Sequence, residues 1–322
     1  MQKISIVIPC YKSQNTISDV VDKIELVLKE SLSEYKYEII LVNDCSPDGT
    51  YSVIKEVSKR NDKIIAIDLA RNFGQHSAIM AGLNKATGDI ILCMDDDGQT
   101  DSNEIPKLIM ALDDDYDVIY GKYVIKKHSF LRNLGSKIND IMMRSMLEKP
   151  KKLYISSYFV MKKYIRDELV KYKKPYPYLG GMILRNTNKI KNVEINHNER
   201  INGESGYTLK KLIKLWVNGF TNFSVKPLRL AMFFSVIVAI VSFLIIIYLI
   251  VNKMINPAVP MGWTSSIMAS LLSCSVISFF LGIIGEYIGR IYISINKVPQ
   301  YVIRECAENG RNSINDSQEG EE

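Results

Sequence analysis

The chain has 322 residues, of which 47% are hydrophobic and 24% are charged, and this apolar content excludes a disordered chain. It carries 41 Lys and Arg against 35 Asp and Glu, a net charge of +6 that is too small by itself to indicate a nucleic-acid partner. Residues 230–251 and 254–285 hold no formal charge, and each stretch is longer than the roughly 20 residues that cross a bilayer, so a purely soluble chain is also disfavoured.

The first 125 residues alternate the patterns of strands and helices. Between short apolar runs lie segments with helical spacing, for example Ile17, Val20, Val21, Ile24 and Leu28. This alternation predicts the α/β fold class, with a mostly parallel sheet covered by helices on both faces. Ligands of such sheets bind beyond the carboxyl ends of the strands. The predicted strands are Ile4–Ile8, Tyr37–Val42, Ile64–Ile67, Ile90–Met94 and Val118–Tyr120.

The two uncharged stretches have basic residues before the first and after the second. The turn between them, residues 252–263, holds only Lys253. The positive-inside rule therefore predicts two transmembrane helices with both chain ends in the cytoplasm. The alternative is a hairpin buried in a protein core. No signal peptide is apparent at the N-terminus, and five scattered cysteines fit a reducing compartment, so we expect the first 220 residues to stay in the cytoplasm.

These patterns predict four parts in the chain. Residues 1–200 form a cytoplasmic α/β domain, and residues 201–227 form an amphipathic juxtamembrane segment. Residues 228–290 form a two-helix membrane anchor, and residues 291–322 form a cytoplasmic tail. The tail is polar and acidic from Glu305 onward, so we expect that part to be disordered.

The strongest chemical signal is the sequence CMDDDGQTD, Cys93–Asp101, directly after the fourth predicted strand. In extended backbone Asp95 and Asp97 point the same way, and Gln99 follows two residues later. Hard cations such as Mg²⁺ or Mn²⁺ choose oxygen ligands of this kind, and Mg²⁺ typically adds substrate phosphates to one or two carboxylates. The pattern therefore predicts a divalent metal and a diphosphate-bearing substrate. The alternative is an acidic turn at the end of a strand.

Two further loops follow predicted strands. In VNDCSPDGT, Val42–Thr50, Asp44 lies too early to cap the next helix, and its carboxylate can accept hydrogen bonds from a nucleobase. In LARNFGQHSA, Leu69–Ala78, Arg71 can pair with a phosphate. His76 in the same loop is interpreted as a structural residue.

Four motifs occur in order along the chain: IVIPCYK, VNDCSPDGT, RNFGQHSAIMAGLNKATGD and MDDDGQTD. They resemble the GT-A domain of family 2 glycosyltransferases, in particular the polyprenyl-phosphate branch, which carries a two-span C-terminal anchor. The resemblance makes residues 1–200 the catalytic domain. The resemblance implies that Pro9, Tyr11, Asp44 and Arg71 hold the nucleotide. It implies that Asp95, Asp97 and Gln99 hold the metal and the diphosphate, with Asp95 and Asp97 as the catalytic pair, and that Arg200 faces the acceptor phosphate. Lys210 and Lys211, at the start of an amphipathic helix, would add a weaker attraction for the acceptor phosphate.

One departure from the family concerns the base. Many relatives carry an Asp where this chain has Ser157, and that Asp has been considered as a base. A phosphate acceptor tolerates the change, because the second pKa of a phosphate monoester is near 6 and the nucleophile is already ionised at neutral pH.

The sequence therefore favours an inverting, metal-dependent hexosyltransferase of a bacterial cytoplasmic membrane. It would move a sugar from a nucleotide diphosphate to a polyprenyl phosphate for cell-envelope glycans. One alternative is transfer to a saccharide hydroxyl, which would need a positioned base. The other is a nucleotide-sugar-binding membrane protein without turnover. Membrane lipid and nucleotide sugar are the expected partners, no nucleic acid is expected, and a homo-oligomer is left open.

Overall fold

The chain folds into two compact units. The first comprises Met1–Leu209 together with Val298–Glu322, and the second comprises Lys210–Lys297. In this computed structural model, the described residues are 1–98, 100–123, 149–150, 152–196, 262–295, 298–308 and 311–313, with single positions at 144 and between 237 and 255.

One sheet of nine described strands forms the centre of the first unit. Its order across the sheet is β7-β5-β6-β4-β1-β2-β3-β8-β9. All five strands predicted from the sequence are present, because each is an apolar run that the sheet buries. The strands are β1 (Lys3–Cys10), β2 (Lys36–Asn43), β3 (Ile64–Leu69), β4 (Ile90–Cys93), β5 (Val118–Tyr123), β6 (Phe159–Lys162), β7 (Ile190–Ile195), β8 (Ile303–Glu308) and β9 (Arg311–Ser313).

The prediction of a mostly parallel sheet needs a correction. Strands β1 to β4 are parallel to one another, and β5 is parallel to β7. Strand β6, however, lies antiparallel between β4 and β5, and β8 lies antiparallel beside β3. The sheet is therefore mixed, because two strands that the sequence analysis did not identify pair with the parallel core in the opposite direction.

Helices cover both faces of the parallel core, as predicted. Helix α1 buries its apolar stripe with Ile4, Ile6 and Ile8 of β1, whereas Gly82 of α3 lies against Val7, which points to the other face. The described helices of this unit are α1 (Ile17–Ser31), α2 (Thr50–Arg60), α3 (Gln75–Lys85), α4 (Ile105–Met110), α5 (Lys163–Val170) and α6 (Leu179–Asn186).

The C-terminal segment contradicts the expected disordered tail over part of its length. Residues 303–308 form β8 against β3, and residues 311–313 form β9 against β8. This polar strand can pack there because its charged side chains form ion pairs with the helices beside it. Lys55 binds Glu305 at 2.5 Å, and Lys85 binds Glu308 at 3.2 Å. This part of the chain therefore belongs to the first unit. Residues 314–322 lie outside the described residues.

The second unit is described mainly by helix α7 (Trp263–Ile295). It covers residues 263–285 of the second uncharged stretch, which the sequence analysis predicted to span the membrane, and apolar side chains such as Ile277, Phe279 and Leu281 are exposed on it. Within the described residues, no helix meets the combined length and hydropathy expected of a membrane span. Most of the predicted first span lies outside the described residues.

Candidate functional site

Hydrogen bonds join the loops that follow β1, β2, β3 and β4. The backbone N–H of Tyr11, after β1, donates to the Asp96 carboxylate at 2.9 Å, and the N–H of Lys12 donates to Ser46 Oγ at 2.8 Å. The Gln75 side chain, after β3, donates to Asp95 Oδ1 at 2.8 Å. The sheet therefore brings the predicted polar loops together at one edge, where ligands of α/β sheets bind.

Asp95 follows the buried strand β4, and both of its carboxylate oxygens accept hydrogen bonds from neighbouring side chains. Gln75 donates to Oδ1, and the Ser157 hydroxyl donates to Oδ2. The pKa of Asp95 is raised to about 6, chiefly by burial and also by the charges of Asp97 and Asp96, while the hydrogen bonds from Ser157 and Gln75 act in the opposite direction. Asp95 is thus an ionisable group in a like-charged cluster.

The backbone around this cluster differs from the prediction in one respect. Strand β4 ends at Cys93, the chain bends at residues 96–98, and Gly98 has a φ of +70°. The extended alternation that led to the pairing of Asp95 with Asp97 therefore does not continue through the motif. The charge of Asp97 nevertheless raises the pKa of Asp95.

Asp96 has a different environment from its neighbours. Its carboxylate accepts the N–H of Tyr11, and its carbonyl accepts the hydroxyl of Thr16 at 3.0 Å. Burial raises its pKa, and the bond from Tyr11 lowers it. Asp96 therefore holds the β1 loop against the β4 loop.

The donor set at this site fits a hard divalent cation. Asp95 and Asp97 supply only oxygen ligands. Besides burial, repulsion between these carboxylates raises the pKa of Asp95, and a bound cation would reduce that repulsion. Across the described residues, no three His, Cys, Asp or Glu side chains converge as a complete metal site. An ion here would take part of its coordination from substrate phosphates, as Mg²⁺ commonly does. Gln99, the third predicted ligand, lies outside the described residues.

Asp44 organises the loop that follows β3. This buried carboxylate accepts hydrogen bonds from the N–H groups of Phe73 at 2.7 Å and Gly74 at 2.9 Å. The backbone carbonyl of Asp44 accepts a hydrogen bond from the Asn72 side chain at 3.2 Å. Burial raises the pKa of Asp44, and the two backbone bonds lower it. The structure thus places Asp44 at the predicted edge and gives it a role in loop geometry that the sequence analysis did not foresee.

The other predicted nucleotide-binding residues lie at the same edge of the sheet. Pro9 is buried near the end of β1, and the side chain of Tyr11 is 46% exposed. Arg71 is exposed, and its guanidinium carbon lies 4.6 Å from the centroid of the Phe73 ring. Both exposed side chains are accessible to a ligand.

His76 shows the features of a structural residue. Its ring meets the Tyr178 ring edge-on, with centroids 5.5 Å apart. Burial lowers the pKa of His76 to about 4, so the imidazole is neutral at physiological pH. A neutral, packed imidazole agrees with the interpretation of His76 as structural.

Two residues at this edge were missed as site residues by the sequence analysis. Gln75 binds Asp95 and lies within a motif that the analysis quoted, so its position could have drawn attention. Arg304, in β8, donates to Asp68 Oδ2 at 3.1 Å and to the carbonyl of Ala70 at 2.8 Å. No sequence signal connects Arg304 with the loop after β3, because 234 positions separate it from Ala70. The predicted acceptor residues Arg200, Lys210 and Lys211 lie outside the described residues.

Comparison with known proteins decides the family. Residues 5–170 match the model of glycosyl transferase family 2, and residues 226–291 match the GtrB C-terminal hairpin. The chain belongs to glycosyl transferase family 2. It is therefore a glycosyltransferase, and the resemblance described above is confirmed.

Two curated relatives match nearly the whole chain. The uncharacterized glycosyltransferase YkcC of Bacillus subtilis is 30% identical over 301 residues, covering 93% of each chain. The undecaprenyl-phosphate 4-deoxy-4-formamido-L-arabinose transferase of Photorhabdus laumondii is 32% identical over 324 residues, covering 99% of this chain and 98% of the relative. Both matches therefore extend across the family 2 region and the hairpin region of this chain.

A solved structure has the same fold as the family 2 domain. Glucosyl-3-phosphoglycerate synthase from Mycobacterium tuberculosis, in complex with Mn²⁺, UDP and phosphoglyceric acid, matches with a TM-score of 0.50 at 16% identity. The match covers 67% of this chain and 77% of that chain. It supports a GT-A-like fold with a mixed sheet for this family 2 member.

Proposed function

We propose that this family 2 glycosyltransferase transfers a sugar, with inversion, from a nucleotide-diphosphate sugar to a polyprenyl phosphate. The observation that carries the proposal is the cluster of Asp95 and Asp97 beside the Asp44-bound loop, in a chain that also matches the GtrB C-terminal hairpin. The curated relative from Photorhabdus, whose name specifies undecaprenyl phosphate, supports the same acceptor class. Cell-envelope glycan assembly or modification is the corresponding role.

The donor would bind across the carboxyl ends of β1 to β4. The nucleotide would contact Pro9, Tyr11, Asp44 and Arg71, of which Tyr11 and Arg71 expose their side chains. Arg71 suits a phosphate, because a guanidinium can donate two parallel hydrogen bonds to its oxygens.

A divalent cation, Mg²⁺ or Mn²⁺, would be held by Asp95, Asp97 and Gln99. When bound, such an ion stabilises the negative charge that develops on the departing nucleoside diphosphate. The Mn²⁺ in the Mycobacterium tuberculosis structure supports this class of cofactor. Gln75 and Ser157 hold the Asp95 carboxylate in position for that role.

The acceptor phosphate would approach Arg200, with Lys210 and Lys211 adding positive charge along the path. A phosphate monoester needs no strong base, because its second pKa is near 6. Ser157 beside Asp95 is compatible with such an acceptor. A saccharide hydroxyl would need a general base to remove its proton, and a serine is a poor base at neutral pH.

The enzyme would act at the cytoplasmic face of a bacterial inner membrane. Two helices within residues 228–290 would anchor it, with the catalytic domain and both chain ends in the cytoplasm. The match of residues 226–291 to a C-terminal hairpin and the charge distribution around the two uncharged stretches support this topology. A homo-oligomer is compatible with this arrangement.

The experiment is a transfer assay with the purified full-length chain. A panel of radiolabelled nucleotide sugars is incubated with undecaprenyl phosphate and Mn²⁺, and the product lipid is analysed by mass spectrometry for its composition and by NMR for its anomeric configuration. We expect a monophosphate-linked sugar with inverted anomeric configuration. Transfer to a saccharide hydroxyl with no lipid product would contradict the assignment of a polyprenyl phosphate acceptor. Nucleotide-sugar binding without any transfer would contradict the proposed transferase activity.

A variant separates the acceptor site from the donor site. Arg200→Ala should impair transfer to lipid phosphate strongly, while nucleotide-sugar binding measured by calorimetry stays near that of the unsubstituted chain. Loss of donor binding with an unchanged acceptor KM would instead place Arg200 in the donor site.

A further inference from the structure

The segment before and within β8 binds the backbone of Ala70 on both sides. The N–H of Ala70 donates to the carbonyl of Val302 at 2.8 Å, and the carbonyl of Ala70 accepts Nη2 of Arg304 at 2.8 Å. Ala70 immediately precedes Arg71, so residues near the C-terminus fix the path of the chain into the loop at residues 70–74.

Arg304 also completes a chain of polar contacts at the end of β3. Its Nη1 donates to Oδ2 of Asp68 at 3.1 Å, and the other oxygen of Asp68 accepts the side chain of Asn43 at 2.7 Å. Asp68 is almost fully buried, whereas the Arg304 side chain is 56% exposed. The guanidinium therefore satisfies a buried carboxylate on one side and keeps an open edge at the surface.

Residues 70–74 are held at both ends by these contacts. Arg304 binds the loop at Ala70, and Asp44 binds it at Phe73 and Gly74. Arg71 lies between the two attachment points. A loop restrained at both ends has less conformational entropy to lose when a ligand binds.

Neither family match includes Arg304, since the matched residues are 5–170 and 226–291. We propose that Arg304 is a positioning residue of the donor site: it orders residues 70–74 for the nucleoside diphosphate moiety of the donor. The inference rests on the proposed function, because it concerns the nucleotide-binding loop of that same site. It adds a residue from beyond the C-terminal hairpin to the donor site.

A surface ion pair is the simpler interpretation of the Arg304–Asp68 contact. Exposed pairs commonly contribute little to stability, and their loss would leave ligand binding unchanged. Arg304 differs from such a pair because it also binds a backbone carbonyl next to Arg71. The two interpretations predict different effects on donor affinity.

The test uses the full-length chain in detergent. Binding of UDP, GDP, dTDP and CDP with MnCl₂ is first measured by calorimetry to find the nucleotide that the unsubstituted chain binds. The same titration then follows for Arg304→Ala, for Arg304→Lys and for Glu305→Gln. The Glu305 variant is a matched control, because it removes the neighbouring ion pair of β8 with Lys55 and leaves Ala70 untouched.

For Arg304→Ala we expect the nucleotide Kd and the donor KM to rise about tenfold or more, with acceptor KM and kcat at saturating donor nearly unchanged. Arg304→Lys should give an intermediate loss, because an ammonium group lacks the planar fork that reaches both partners. Glu305→Gln should bind like the unsubstituted chain.

Unchanged nucleotide affinity in folded Arg304→Ala or Arg304→Lys would overturn the inference and leave the proposed function intact. An equal loss of affinity in Glu305→Gln would overturn it as well, since general weakening of β8 would then explain the result. Absence of binding by the unsubstituted chain to any of the four nucleotides would overturn the donor site itself, and the inference with it.

Discussion

The hydroxyl group of Ser157 donates a hydrogen bond to the Asp95 carboxylate, on the oxygen opposite to the one that Gln75 binds. Ser157 stands where many relatives of the family carry an acidic residue. In this chain the position therefore supplies a donor to a carboxylate and adds no further negative charge to the three aspartates after β4.

The first prediction concerns Ser157→Ala. The variant should keep a substantial fraction of transfer activity, with a loss below about tenfold, because an ionised phosphate acceptor needs little activation. The Ser157 bond lowers the pKa of Asp95, so its removal should move the acidic limb of the pH–activity profile to higher pH. Steady-state assays between pH 5 and pH 8 measure both effects. A loss as large as that of Asp97→Asn would show Ser157 to be essential.

The second prediction concerns the metal. Asp97→Asn keeps the size of the side chain and removes a charged ligand, so it should abolish transfer. Chelator should stop the unsubstituted enzyme, and Mg²⁺ or Mn²⁺ should restore it. Undiminished turnover in chelator would contradict the metal assignment.

The third prediction concerns stability at the same cluster. The pKa of Asp95 is raised to about 6, above its ordinary value of 3.8, so the folded state favours the protonated form. The stabilisation from this group is complete below pH 3.8 and is lost as the pH rises through 6. Asp95→Asn should therefore stabilise the metal-free protein by about 1–2 kcal/mol at pH 7.5, a figure reduced for partial solvent exposure.

Urea unfolding of the metal-free protein at pH 7.5 and pH 4 measures this effect. The gain in Asp95→Asn should shrink at the lower pH, where the unsubstituted side chain is already protonated. The same variant should lose transfer activity. Equal stability of the two proteins at both pH values would show that the Asp95 carboxylate carries no such strain.

The fourth prediction concerns Gly74. Its φ of +91° and ψ of 156° lie in a region that is essentially restricted to glycine. No atom lies within 4 Å of the position that a Cβ would occupy, so Gly74→Ala tests backbone conformation without a steric clash. The variant should lose about 1–3 kcal/mol of stability and bind nucleotide more weakly, because the N–H of Gly74 donates to Asp44. Calorimetry and urea unfolding check this; an unchanged unfolding midpoint would contradict it.

The fifth prediction concerns topology. Both chain ends should lie in the cytoplasm, with the turn near residues 257–262 outside. A cysteine at position 258, in Ala258→Cys, should react with a membrane-impermeant maleimide in intact cells, whereas one in Gly310→Cys should not. The unsubstituted chain controls for its five native cysteines. Labelling at position 310 from outside would reverse the orientation.

The sequence was sufficient to predict the parallel core and the sheet edge at which the polar loops meet. Strands such as β1 and β4 are apolar runs buried on both faces, and the polar residues after them mark the ligand edge. Strand β8 could not be recognised, because its charged side chains are accommodated by ion pairs with α2 and α3 that only the fold creates.

At the candidate site, too, some features follow from the sequence and others only from the fold. Asp95, Asp97, Asp44 and Arg71 stood out because of their residue types and their positions after strands. The attachment of Ala70 to Arg304 depends on how strands distant in sequence are paired, and no local pattern encodes that pairing.

The pairing of β3 with β8 also has a consequence for biogenesis. Strand β3 is almost fully buried, yet its partner on one side is synthesised some 234 positions later. At about 5–20 residues per second, this apolar edge stays open on the ribosome for roughly 10–50 s, while the hairpin at residues 226–291 is also being made. An open apolar edge is a template for aggregation. Chains that end before residue 303 would keep that edge permanently, so β8 also protects the completed chain from self-association.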